Sequence, residues 1–486
     1  MTTIRRSLAY SAAESYFSLA LQIVSTMVIS RILTPEETGV FAVATVFAAL
    51  ASNFRDFGVG EYLIQENDLT AEKIRAALTV NIAISWTVGV ILFFAAPYAA
   101  NFYRSVGVGE VMRVQAFNFL LIPFGAVTMA YFRRELDFKP IFIVSVVANL
   151  TSFAVSIVCA LRGMGYMSLA WSSLAGVALT VLMSVWFRPT TFPRWPGLRG
   201  VADVFHFGKF ASGIYFMGQL GKGAPEMIIG RAQDMPSVAI FSRAAGLVEI
   251  FNRLVLRTVM PVCLPYFAKS SREDGSLLRG YLTSISYLTV IGWPFVAFLG
   301  FIAYSAIRIV YGVQWVSATP LAQIVCAAAA VDLVYHLAKE ALLAEGRVRT
   351  SNRLQAGMVL AQIAGLMAVV PFGLIGAAWG VLAATVVGAA LSHHHLHQAI
   401  GLRLSDVART CLPSLYVSVL SVAPVAAWVM VEGITEDNFA RFAFVGGAIT
   451  ALGWILSVKL IGHPLWPEVL KAGNLAGATV TRLVRR

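Results

Sequence analysis

Residues 28–44 read VISRILTPEETGVFAVA, and residues 228–244 read IIGRAQDMPSVAIFSRA. Ile29 matches Ile229, Arg31 matches Arg231, Val40-Phe41 matches Ile240-Phe241, and Ala44 matches Ala244. Each copy is an apolar run, an arginine, a short polar turn and a second apolar run. Two copies at this interval mean that one chain carries a large unit twice.

Composition says what kind of unit. The 486 residues are 58% hydrophobic and 13% charged, with a mean hydropathy of +0.75. A soluble domain carries about 25% charged residues. A membrane span needs about 20 apolar residues, and stretches free of Asp, Glu, Lys and Arg reach that length at 76–103, 140–161, 163–187, 280–307, 309–331 and 410–431. The stretch 354–402 holds two spans, with PFGLIG (371–376) as the turn. In lipid every backbone polar group must be satisfied internally, which leaves helices or a closed barrel. These runs are continuous rather than alternating, so they read as helices. Arg5 and Arg6 precede an apolar run, but Glu14 interrupts it and no small-residue cleavage site follows. The first span is expected to stay in place. Cys159, Cys263, Cys326 and Cys411 lie in or near apolar runs without CxxC spacing, so neither disulfide nor metal is expected.

About fourteen spans follow, between residues 10 and 461. Of the Lys and Arg residues in the connections, 24 fall on one side and 8 on the other. That bias places both termini in the cytoplasm. The net charge of +12 is then a topology signal, with no nucleic-acid partner implied. Six spans separate the two copies, so both enter the membrane in the same direction. The expected architecture is an all-α integral membrane protein of about 14 transmembrane helices: two parallel-repeat six-helix lobes plus two C-terminal helices. Residues 1–187 form the first lobe, 188–206 a cytoplasmic linker rich in Pro and Arg, and 207–398 the second lobe. Residues 399–486 add two helices and a cytoplasmic tail.

Charges inside spans are costly and tend to face a bundle interior. In span 8, Glu249, Arg253 and Arg257 are four apart, an anion-binding wall or an ion pair with a snorkelling Arg257. In span 10, Asp332, His336 and Glu340 share a face with Lys339 beside them, a path for a coupling proton or a satisfied polar seam. In span 7, Lys222 and Glu226 lie among Gly218, Gly221, Gly223 and Pro225. That is a weakened helix of the kind that lines substrate sites, or a kink with a local ion pair. Span 2 ends in Arg55-Asp56, and the repeat offset puts Arg55 between Arg253 and Arg257. Glu14 is one turn into span 1. The substrate-binding candidates are Arg55, Lys222, Arg253 and Arg257. The ion-coupling or cavity polar candidates are Glu14, Asp56, Glu226, Glu249, Asp332, His336, Lys339 and Glu340. The tract HHHLH (393–397) points its rings in different directions, so no metal site is expected. No P-loop and no soluble catalytic domain is visible, so neither a cofactor nor an enzyme activity is expected.

The segments SRILTPEETGVFAVA (30–44), FRDFGVGEYLIQENDLTAEKIRAA (54–77), FRRELDFKPIFIVSVVANL (132–150) and ALRGMGYMSLAWSSLAG (160–176) resemble the polysaccharide repeat-unit flippases. These are exporters of O-antigen, colanic acid and exopolysaccharide units within the multidrug/oligosaccharidyl-lipid/polysaccharide exporter superfamily. The resemblance covers residues 1–210 most closely. It implies a bacterial inner-membrane protein that turns an undecaprenyl-diphosphate-linked oligosaccharide from the cytoplasmic to the periplasmic leaflet by alternating access. Membrane lipids, a polysaccharide polymerase and other assembly proteins are the implied partners. Arg suits a diphosphate, and Tyr215, Phe216, Trp293 and Tyr335 are candidate stacking surfaces for sugar rings. In the related lipid II flippase the two extra helices form a lipid groove, which the last two spans here would match. A membrane potential worth about 2.3 kcal/mol per charge per 100 mV would bias transport about fifty-fold. The rival readings are a cation-coupled multidrug antiporter of the same superfamily, a membrane-embedded polysaccharide polymerase, and a scaffold for polysaccharide assembly. An antiporter would usually have twelve spans and an acidic cavity, and a polymerase a large periplasmic loop.

Overall fold

The computed structural model describes residues 2–56, 58–189, 192, 193, 195–273 and 277–471. The side chains at 56, 207–216 and 257 lie outside that description, and with them the sequence candidates Asp56, Tyr215, Phe216 and Arg257. Every regular element among the described residues is helical. The first are α1 (Thr2–Ile32), α2 (Pro35–Asp56), α3 (Val59–Gln65) and α4 (Ala71–Tyr103). Next come α5 (Val106–Leu121), α6 (Pro123–Arg134), α7 (Phe138–Leu161) and α8 (Met167–Trp186). After the link come α9 (Val201–Ala232), α10 (Met235–Phe251), a π-helical turn at Asn252–Leu256, and α11 (Arg257–Glu273). They continue as α12 (Leu277–Phe301), α13 (Ala303–Val310), α14 (Thr319–Tyr335) and α15 (Ala338–Ala344). The last are α16 (Val348–Val369), α17 (Gly373–Ile400), α18 (Leu404–Glu432) and α19 (Phe439–Ile461).

Among the described residues, 10 helical segments are long and apolar enough to cross a membrane, or 11 if α5 and α6, bent by 53°, form one span. Pro123 explains that bend, because it lacks the N–H the ladder needs. One segment, Val348–Ile400, contains both α16 and α17. The α9 and α10–α11 regions, which the sequence reading counts as spans, are not in that set.

The opening repeat has a structural meaning at its turn. α1 ends at Ile32 and α9 at Ala232, while α2 begins at Pro35 and α10 at Met235. The backbone bonds repeat as well. Leu33 N–H donates to Ile29 O and Thr38 N–H to Thr34 O, and in the second copy Gln233 N–H donates to Ile229 O and Val238 N–H to Asp234 O. In the first copy Thr34 and Glu37 form a capping box: Glu37 N–H donates to Thr34 Oγ1 at 3.3 Å and Thr34 N–H to the Glu37 carboxylate at 2.8 Å. In the second, Asp234 Oδ1 accepts the Ser237 N–H at 2.8 Å. The residues differ, but each satisfies the bare N–H groups of a helix start.

The chain divides into two compact units, Met1–Ser242 with Val310–Gln314, and Arg243–Ile309 with Trp315–Arg486. In the first unit α2 packs on α5 and α9. Glycines make the α2–α9 approach close. A Cβ on Gly223 would meet Val46 at 2.3 Å, one on Gly230 would meet Val43 at 2.9 Å, and one on Gly39 would lie 1.8 Å from the Met235 carbonyl oxygen. Gln314 joins this unit by donating to Ser30 O and Leu33 O.

In the second unit α12 packs on α14 and α18, and α18 on α19. The segment after α19 turns back onto α12. His463, 1% exposed, accepts the Leu465 N–H at Nδ1, 3.2 Å away. That leaves the proton on Nε2, which faces the Ser286 and Ser414 hydroxyl oxygens at 3.1 and 3.2 Å. Burial holds this imidazole below the ordinary histidine range. A neutral ring with a lowered folded-state value contributes fully above about pH 6.5, and its contribution is lost as the pH falls below that. The unfolding midpoint of the detergent-purified protein is therefore expected to drop by ~2 °C or more between about pH 6.5 and 5, and His463→Asn to flatten the drop. Equal drops in both proteins would remove His463 as the cause.

Candidate functional site

Several of the charges that the sequence places inside spans sit where the helices are irregular. In the first unit, Pro225 lies inside α9 and Glu226 follows it. Glu226 Oε1 accepts from the Ser242 hydroxyl at 3.1 Å. Its Oε2 is buried without a partner. Lys222, one turn away on the same helix, is exposed, and no ion pair joins the two. The local Lys222–Glu226 pair that the spacing allowed is therefore not formed. Arg55, at the end of α2, lies over the Phe119 ring at 5.9 Å. Glu14 lies 3.5 Å from the hydroxyls of Ser15 and Ser18.

In the second unit, Arg253 lies in the π-helical turn that links α10 to α11. Such turns are inserted residues that locally widen a helix, and they recur at functional sites. Arg253 Nε donates to Glu249 Oε1 at 3.3 Å, and Asn252 donates to the other carboxylate oxygen at 3.2 Å. The ion pair of the sequence reading is thus present, with a third member that the reading had missed.

The expected three-step ladder on span 10 is interrupted. Asp332 and His336 do meet, at 2.6 Å. The helix then breaks at His336–Leu337, and Lys339 and Glu340 belong to α15. Glu340 Oε2 is buried without a partner. No proline or glycine marks this break, which is why a continuous span was expected. Tyr335 turns to α17, where its hydroxyl lies 3.2 Å from His393 Nδ1. Within the histidine tract, His394 pairs with Gln398 at 3.0 Å and His397 with Leu402 O at 2.9 Å. Among the described residues no cluster of His, Cys, Asp and Glu could hold a metal.

Beside this polar group, α12, α14 and α18 enclose an apolar groove of about 660 Å³. Trp293, Gly300, Cys326, Ala330, Tyr335 and Leu415 are among its walls. The Trp293 indole N–H donates to Ala330 O at 2.8 Å, so its ring is fixed as part of a wall. The groove's lining is almost wholly apolar, and Tyr335 in its wall carries its hydroxyl to His393.

Residues 28–320 match the model of a protein family described as "Polysaccharide biosynthesis protein". The chain belongs to this family. Family relatives include the teichuronic acid biosynthesis protein TuaB of Bacillus subtilis (strain 168), 25% identical over 94% of this chain and 95% of that one. The lipopolysaccharide biosynthesis protein WzxC of Escherichia coli (strain K12) is 22% identical over 79% of each chain. The succinoglycan biosynthesis transport protein ExoT of Rhizobium meliloti (strain 1021) is 24% identical over 66% of this chain and 65% of that one. Among solved structures, the fold is similar to that of the lipid II flippase MurJ in an inward closed conformation, with a TM-score of 0.69 at 12% identity, over 93% of this chain and 99% of that one. It is also similar to an inward-facing MATE multidrug transporter of the MOP superfamily, with a TM-score of 0.60 at 15% identity, over 82% of this chain and 96% of that one. The family member described here therefore has a MurJ- and MATE-like all-helical, multi-span membrane fold, and the resemblance read from residues 30–176 is borne out.

Proposed function

We propose that the protein is a flippase for oligosaccharide repeat units carried on undecaprenyl diphosphate. It works in the bacterial inner membrane with both termini in the cytoplasm, and feeds exopolysaccharide, capsule or O-antigen synthesis. The observation that carries the reading is the placement of charge. Arg253 sits in a π-helical turn, Asp332 and His336 at a helix break, and Glu226 behind a proline. Interrupted helices with charges in them are how transporters hold polar cargo at membrane depth. The apolar groove supplies the other half, a channel for the polyprenyl tail along α12, α14 and α18. The names of the relatives, WzxC and ExoT, support the substrate class.

In this reading, Arg55, Lys222, Arg253 and Arg257 neutralise the diphosphate and any acidic sugars. Arginine offers a planar fork that matches phosphate. Two six-helix lobes, 1–187 and 207–398, rock about the substrate, and fourteen spans complete the fold. The coupling group is Glu226, a buried carboxylate with one oxygen to spare.

The test uses a strain deleted for this gene. Lipid-linked oligosaccharide is expected to accumulate inside, unreachable in spheroplasts by a periplasmic sugar-modifying probe. The wild-type gene restores access, while Arg253→Ala at normal expression lowers it by about tenfold or more, the loss of one charge-assisted contact. A unit that is accessible but unpolymerised would sink the flippase step in favour of a polymerase. No change in lipid-linked sugar, with loss of drug resistance, would favour the multidrug antiporter.

A further inference from the structure

The two copies of the repeated turn meet at a second cavity, in the first unit. It is about 660 Å³ and largely polar. Its walls are the first turn of α2, the α4–α5 turn, the loop before α8 and the α9–α10 turn. It holds charges of both signs that are not spent on one another. Arg104 closes α4 through its backbone N–H, with a left-handed φ of 52°, and its guanidinium has no partner in the described structure. Arg231 stacks on the Phe102 ring at 5.1 Å and has no carboxylate partner among the described residues. Among them Glu36 has no hydrogen-bond partner either. Asp234 spends one oxygen on Ser237 and keeps the other.

This mixture discriminates among ligands. A simple anion would meet Glu36 and Asp234, and a cation would meet two guanidinium groups. An apolar ligand would strip water from these charges, Glu37 among them, and return nothing. A polyhydroxylated ring suits them together. Its hydroxyls donate to carboxylates and accept from guanidinium groups, and its C–H face can lie against the exposed Phe102 ring. The volume is within the range of small-molecule sites.

The cavity also depends on a particular packing of its walls. Gly39, three residues from Glu36, rests against the carbonyl of Met235, one residue from Asp234. Moving α2 away from the start of α10 would take the walls apart. A ligand that fills the cavity therefore favours the state in which they touch.

We propose that this cavity is a saccharide-binding site on the non-cytoplasmic side, and that its occupancy holds the Gly39–Met235 contact closed. The orientation, and the idea that sugars reach this face, rest on the flippase reading. A site of this kind would let sugar units already delivered slow their own further export.

The probes are cellobiose, a neutral disaccharide, and free glucuronic acid, added at millimolar concentration to the purified protein in nanodiscs. Binding is read by saturation-transfer NMR and calorimetry. Saturable binding of at least one probe is expected. Arg231→Ala and Glu36→Gln should each weaken it by about tenfold, and Arg231→Lys less than Arg231→Ala. Gly39→Ala should lose binding although it alters no group that would touch the sugar. Unfolding curves without sugar identify any variant that has failed to fold, and the lysine variant then carries the comparison. Absence of saturable binding of both probes overturns the site, as does equal binding in the Arg231 and Glu36 variants. Retained binding in Gly39→Ala overturns the link to closure. If the spheroplast experiment succeeds while sugars do not bind here, this proposal fails and the flippase reading stands.

Discussion

Gly39→Ala, the addition of one methyl group, is expected to lower transport by at least about tenfold while the protein still inserts into the membrane. The added Cβ would lie 1.8 Å from the Met235 carbonyl oxygen and 2.5 Å from its carbonyl carbon. Both are backbone atoms at the start of α10, so no side-chain rotation relieves the clash. Either α2 or α10 must move. Overpacking of this kind costs typically ~1–3 kcal/mol, and each ~1.4 kcal/mol is a factor of ten in an equilibrium. The packed arrangement would thus fall from dominant to minor, and a cycle that passes through it would slow in proportion. The measurement is rescue of oligosaccharide access in the deletion strain, with membrane levels followed by immunoblot. Wild-type transport by Gly39→Ala would mean that the close approach has no part in the cycle.

Gly39 also shows what a sequence does and does not disclose. The repeat was legible from its matched apolar residues and arginine, Ile29 with Ile229, Arg31 with Arg231 and Ala44 with Ala244, around a polar turn; the structure adds that Thr34 and Asp234 start the two helices by equivalent hydrogen bonds. The mutual approach of the two copies was not legible, since it depends on packing between α2 and the start of α10. Pro225, among its glycines, announced one irregular helix, while the bend at Pro123 was not anticipated. The break at His336–Leu337 carries no such residue, and the π-helical turn around Arg253 has no sequence signature. Candidate charges could be named from the cost of placing them in lipid, but their pairing could not. Spacing of four suggested Lys222–Glu226 and Glu249–Arg253 equally, and the structure forms only the second. The difference is the environment. Glu226 faces the Ser242 hydroxyl, while Lys222 is turned out to an exposed position. His463 was overlooked because it follows the last span, where a loop residue was expected rather than a buried one.

Glu226→Gln is expected to uncouple transport from the proton gradient. Glutamine keeps the shape of the side chain, and its amide oxygen can still accept from Ser242, 3.1 Å from the native carboxylate. What it loses is the ability to bind and release a proton. Native Oε2 is buried without a donor. A carboxylate in that position has two ways to avoid an unpaired buried charge: it takes up a proton, or the helix opens and lets in a donor. Both link proton binding to the position of α9. Pro225 makes such opening easier, because it removes one bond from the helix ladder beside Glu226. If one proton moves per cycle, a gradient equivalent to 100 mV is worth about 2.3 kcal/mol. Its loss lowers accumulation by up to about fifty-fold. In proteoliposomes, the wild type should therefore respond to an imposed pH step and Glu226→Gln should not, with Glu226→Asp in between. A hydrophobic carbodiimide should modify Glu226 more readily as the pH is lowered, a readout independent of the cargo. An unchanged response to the pH step in Glu226→Gln would move the coupling site elsewhere, with Glu340, the other buried carboxylate with a bare oxygen, next in line.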